Sequence, residues 1–108
     1  MKIYVAGPLS SPSTLGYIRN LATMLTTAIQ LHRMGHAVYV PGLDFLFALV
    51  GAAIGSAFTL QDMYELNYPW LDACDAVFVI APSPGVEKEL ARAKGKPIYT
   101  DMEDIPCA

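Results

Sequence analysis

Ala76-Val77-Phe78-Val79-Ile80-Ala81 is apolar at every position and dominated by β-branched and aromatic side chains. Such a run reads as a central parallel strand, because only a strand covered by helices on both faces has no polar side to show. Downstream, Pro82-Ser83-Pro84-Gly85 reads as a loop, Val86 to Lys94 as a helix closed by Gly95, and Pro97-Ile98-Tyr99 as a short final strand. Upstream, Lys2 to Ala6 forms a buried strand that breaks at Gly7-Pro8. Ser10, Ser11, Pro12 and Ser13 then offer capping oxygens to a long helix. Its apolar residues Leu21, Met24, Leu25, Ala28, Leu31 and Met34 recur at three- and four-residue steps, and Gly35 closes it. Ala37 to Val40 is a strand stopped by Pro41-Gly42. Asp44 to Ala57 and Gln61 to Cys74 are helical, with Pro69 predicted to kink or interrupt the second.

Strand, helix, strand in this rhythm requires right-handed crossovers between parallel strands. The predicted fold is α/β: one domain over 1–108, a small doubly wound, flavodoxin- or Rossmann-like parallel sheet of about four strands with helices on both faces. At 108 residues, 54% hydrophobic and 16% charged, the chain is no disordered segment. A net charge of -3 offers no electrostatic footprint for a nucleic-acid backbone. Two cysteines, Cys74 and Cys107, without CxxC or Cys/His ligand spacing predict neither a disulfide framework nor a metal site, and with them a cytoplasmic setting. The first apolar run breaks too soon for a signal peptide. Phe45 to Leu60 is uncharged but falls short of the ~20 residues that span a bilayer. It is predicted to be buried in protein, with Phe45 to Phe58 as a subunit interface of a homodimer or larger homo-oligomer, because so small a domain does not cover such a helix alone.

In a doubly wound sheet, ligands sit beyond the carboxyl ends of the strands. That rule points to the loops Gly7 to Ser11 and Pro82 to Gly85. Small residues before a helix N-terminus leave backbone N–H groups and the Ser10 or Ser83 hydroxyl to cradle an anion, although the same residues also serve as plain turns and caps. Glu87, early in the following helix, is accounted for by the helix dipole. Glu89 falls beside the packed face marked by Val86, Leu90 and Ala93, a position from which it can enter a cleft. A carboxylate walled by apolar groups is suited to attack an electrophilic carbon or to stabilise a cation developing there.

Several segments together carry a resemblance: Ile3-Tyr4-Val5-Ala6-Gly7-Pro8, Gly35-His36-Ala37-Val38, Trp70-Leu71 running into Cys74-Asp75-Ala76-Val77, and Ser83-Pro84-Gly85-Val86-Glu87-Lys88-Glu89-Leu90 through Gly95-Lys96-Pro97-Ile98. In this order, over nearly the whole chain, they resemble the nucleoside 2-deoxyribosyltransferase family, and within it the branch of 2'-deoxynucleoside 5'-monophosphate N-glycosidases. The resemblance implies cleavage or transfer at the N-glycosidic bond of a nucleoside or its 5'-monophosphate, without metal or cofactor. Glu89 matches the family's nucleophile, which forms a glycosyl-enzyme. Tyr4 matches the tyrosine that orients it. Gly7, Pro8, Ser10, Ser83 and Gly85 fall in the loops that hold the 5'-phosphate end, and Ser10 stands where some relatives place Arg.

Asn67 departs from the pattern, for the family carries there an Asp that positions substrate and protonates the base. An amide cannot deliver a proton as a general acid. The proton then comes from Asp62, Asp72 or water, or the base leaves without one, or the chain is a nucleotide-binding module without catalysis. A ribonucleotide-cleaving phosphoribohydrolase is disfavoured, because Ser83-Pro84-Gly85-Val86 lacks that group's Pro-Gly-Gly-x-Gly-Thr run. Tyr64, Tyr68 and Trp70 are placed either to stack on a base or to pack in the core. His32 and His36 are separated by the end of a helix and are not expected to form a metal pair.

Overall fold

The computed structural model describes residues 1–9 and 12–107. Four strands, β1 (Lys2–Ala6), β2 (Ala37–Tyr39), β3 (Ala76–Val79) and β4 (Ile98–Tyr99), form one parallel sheet in the order β2-β1-β3-β4. The helices are α1 (Thr14–Arg33), α2 (Asp44–Ala53), α3 (Leu60–Ala73) and α4 (Pro84–Arg92). The fold is the doubly wound parallel sheet expected.

The two-residue period of β1 divides the core. Ile3 and Val5 face one side and pack with Met24, Ala28 and Leu31 of α1, together with Ala76 and Phe78 of β3. Tyr4 and Ala6 face the other, with Leu71 of α3, Val86 of α4, and Val77 and Val79. β3, buried at all four positions, is apolar on both faces for this reason.

Chain direction reverses its winding between β1 and β3, so the crevice at their carboxyl ends is the topological switch point. Gly7 leaves β1 against the end of β3, where a Cβ would lie 3.2 Å from Ile80 Cβ, and the Ile80 N–H donates to Ala6 O at 2.8 Å. That close approach holds the two loops side by side. From behind, the Lys96 ammonium donates to the carbonyls of Leu71, Asp72 and Cys74 at 2.8, 2.6 and 2.6 Å, closing the carboxyl end of α3 where the dipole favours a cation.

Two expectations need correction. α3 runs unbroken through Pro69; the proline removes only the backbone bond to Glu65 O, and a capping box between Thr59 and Asp62 secures the helix start. The 44–57 helix ends earlier, at Ala53, because Gly55 takes φ 73° and Ser56 N–H turns back to Gly51 O at 2.8 Å. Within its own chain this helix leaves an apolar face uncovered. Leu46, Phe47, Leu49, Val50 and Ile54 are exposed. Among the described residues no helix is long and apolar enough to cross a membrane.

Candidate active site

At the switch point lies a cavity of about 660 Å³. β1 delivers Tyr4 to it, and α4 delivers Glu89. Tyr4 is almost wholly buried, and its hydroxyl lies near enough to the half-buried Glu89 carboxylate to act on its titration as a hydrogen-bond donor. A β-strand fixes the one side chain and a capped helix the other, so neither needs ordering when a ligand arrives.

Burial pushes the Glu89 carboxyl above its usual range; the bond from Tyr4 acts against this, and the charge of Asp44 adds to it. The Tyr4 hydroxyl is driven far up by burial, by Glu89 and by neighbouring groups, and therefore stays a neutral donor. Its ring stacks on Tyr39 at 5.5 Å between centroids, and Tyr39 stacks on Trp70 at 5.7 Å.

Gly7, Pro8, Ser83 and Gly85 all line the same cavity. Ser10 lies outside the described residues. Ser83 is the N-cap of α4, its Oγ accepting from Val86 N–H at 3.1 Å, which leaves the hydroxyl hydrogen to donate. An added Cβ at Gly85 would meet nothing nearer than Ser83 Oγ at 3.9 Å, so there is room for a ligand to approach the backbone there.

Asn67 is buried, and its amide orientation is set by a phenol. The Tyr39 hydroxyl donates to Asn67 Oδ1 at 2.7 Å, which turns Nδ2 to donate to Asp44 Oδ2 at 3.0 Å. Asp44, at the head of α2, lines the cavity and went unremarked in the sequence. Burial raises its carboxyl, and bonds from Asn67 and the Phe45 backbone partly offset this.

The suggested alternative proton sources lie elsewhere. Asp62 accepts from Thr59 N–H and Oγ1 in the capping box, at 2.8 and 3.0 Å, and Asp72 is paired with Arg92 at 2.7 Å; neither lines the cavity. The solvent-exposed Arg92 pair pulls the Asp72 carboxyl below its usual value.

Of the aromatic candidates, Tyr64 and Tyr68 line the cavity as a stacked pair 5.2 Å apart. Lys88 and Arg92 lie over their rings at 5.4 and 4.8 Å. Trp70 is not in the cavity but covers Tyr39. His36 is buried with Nε2 2.7 Å from Pro106 O, whereas His32 is exposed.

The arrangement is thus two carboxyl groups, a phenol bound to one of them, an aromatic pair, and a loop crevice suited to an anion. Compared with known proteins, the chain matches no family model and no curated protein.

Proposed function

We propose that the cavity takes a nucleoside or its 5'-monophosphate and that Glu89 attacks the anomeric carbon, displacing the base to leave a glycosyl-enzyme. The observation that carries this reading is the meeting of Tyr4 and Glu89 in the lining of the switch-point cavity, where the phenol counters the effect of burial on the carboxyl group. A carboxylate so held is aimed, partly desolvated and short of full neutralisation, as a nucleophile for a cationic carbon must be. The resemblance to nucleoside 2-deoxyribosyltransferases, and to their monophosphate-cleaving branch, supports the same reading.

In this reading the base lies against Tyr64 and Tyr68. The 5' end reaches the Gly7-Pro8 and Ser83-Gly85 loops, where backbone N–H groups and the α4 dipole favour an anion. Glu89 forms the C1'–O bond as the C1'–N bond breaks, and water or a second base later releases the sugar. The resemblance and the cysteine pattern support a cytoplasmic setting, and the net charge of -3 speaks against a nucleic-acid polymer as partner.

Incubation with a panel of deoxynucleosides and their monophosphates should release free base. A 2-fluoro-2-deoxy donor, whose glycosyl-enzyme hydrolyses slowly, should leave one sugar adduct on the peptide containing Glu89, read by mass spectrometry. Thermal stabilisation by nucleotides without base release from any of them would instead favour a binding module, the reading that Asn67 motivates.

The exposed Leu46, Phe47, Leu49, Val50 and Ile54 follow directly on Asp44 and Phe45 at the cavity wall. We infer that a second copy covers this face, since a patch of this size is costly in water. Sedimentation should give a mass of at least two chains; the mass of one chain would refute the assembly.

A further inference from the structure

We infer that Asp44, held by Asn67, is the acid that protonates the departing base. This rests on the glycosidic reading above and names the residue that reading lacks.

The geometry is specific about where a proton can sit. Asn67 Oδ1 is taken by the Tyr39 hydroxyl at 2.7 Å, so the group turned to Asp44 Oδ2 at 3.0 Å is the amide nitrogen. That nitrogen can only donate. Asp44 Oδ2 is therefore an acceptor whichever charge state Asp44 holds, and a proton on Asp44 belongs on Oδ1. A carboxyl group with one oxygen anchored and the other protonated is a general acid of defined orientation.

Its surroundings leave it as the proton source. The ionisable groups that feel its charge are Tyr4 of β1, Tyr17 of α1, Tyr39 of β2 and Glu89 of α4. Burial drives all three phenols upward, which makes them weaker acids, and Glu89 is needed as the nucleophile. Two carboxyl groups sharing one cavity retain a proton more readily than either would alone, and titrate as a pair. Positive charge growing at C1' favours the Glu89 anion, leaving that proton with Asp44.

The step balances. The C1'–N electron pair goes to the base, the Asp44 Oδ1 proton follows it, and a Glu89 oxygen bonds C1'. In the second half, water attacks C1' and gives its proton to the Asp44 carboxylate as the C1'–O bond to Glu89 breaks. Both carboxyl groups are restored.

The test compares two leaving groups on the full chain. Asp44→Asn keeps an acceptor for Asn67 and fills the same volume. It should slow base release from a deoxynucleoside 5'-monophosphate by ~10²–10⁴-fold in kcat with little change in KM. On a 2-deoxyribosyl donor with a 4-nitrophenolate leaving group, which departs without a proton, the first burst of 4-nitrophenolate, which reports formation of the glycosyl-enzyme, should slow less than ~10-fold, while later turnover slows because water attack lacks its base. Asp44→Ser serves as a second variant should the first not fold.

Equal losses in the leaving-group step on both donors, or undiminished base release, would overturn the assignment while leaving Glu89-dependent turnover intact. No turnover of either donor by the native chain would overturn the glycosidic reading and this inference together.

Discussion

Glu89→Gln is expected to abolish turnover, by ~10⁴-fold or more in kcat/KM, and at the same time to raise the melting temperature at neutral pH. On the glycosidic reading, the loss follows from removing the group assigned to form the C1'–O bond. The gain follows from electrostatics. Burial and the charge of Asp44 raise the Glu89 carboxyl in the folded chain, and the bond from Tyr4 only partly opposes them. Between the unfolded value, ~4.3, and the raised folded one, the folded state binds more protons than the unfolded state. Stability therefore falls as pH rises through this window and stays reduced above it.

Glutamine has no proton to lose there, and its Oε1 still accepts from the Tyr4 hydroxyl. The variant should be the more stable by roughly 1 kcal/mol, about 4 °C, at pH 7. The difference should close on acidification below the unfolded value, where Glu89 is neutral in both states. Calorimetry at acid and neutral pH, beside the base-release assay, reads both effects. A variant that melts below the native chain at pH 7 would mean that the Glu89 carboxylate stabilises the fold. Retained activity would remove it as nucleophile.

This opposition between stability and activity is where local sequence reading reaches its limit. β1 and β3 were legible because a strand buried on both faces must be apolar throughout, and Ile3/Val5 against Tyr4/Ala6 then divide between two cores. Glu89 was legible through its spacing and through the resemblance, Tyr4 through the resemblance alone, and the cavity contains both.

Asp44 was not. Its partner Asn67 is 23 positions away and its charge is felt by Glu89 across the cavity, so the groups it works with are not its neighbours in the chain. A signal was nonetheless present. Asp44 is the one charged residue at the head of an otherwise uncharged helix, just beyond the carboxyl end of β2, where a doubly wound sheet presents ligands. Likewise, the early end of α2 depends on Gly55 at φ 73° and on the return of Ser56 to Gly51, a closure that apolar periodicity cannot register.

Asn67→Asp would restore the residue that the family resemblance expects, and it should make this protein worse. The substitution replaces the donor 3.0 Å from Asp44 Oδ2 by an acceptor, while Tyr39 can still donate to the new carboxylate. One hydrogen bond becomes a contact between two partly buried acids, which is tolerable only if the pair retains a proton. At neutral pH the cost should be about 3 kcal/mol, on the order of 10 °C in melting temperature. Because the pair's folded pKa values lie above their unfolded ones, the loss should shrink as pH falls towards ~4, where both states are protonated.

Asn67→Ser separates the causes, since it deletes the donor without adding charge and should cost only ~1–2 kcal/mol, with little dependence on pH. Base release should slow in both variants, because Asp44 loses the anchor that directs its proton to Oδ1. Thermal melts across pH with parallel kinetics decide the matter. If Asn67→Asp were as stable as the native chain and faster on nucleotides, position 67 would be an impaired acid site, and Asp44 would have no part in protonating the base. If instead it melts low, recovers in acid and releases base more slowly, the result supports Asp44 at the head of α2 as the acid, with Asn67 holding it.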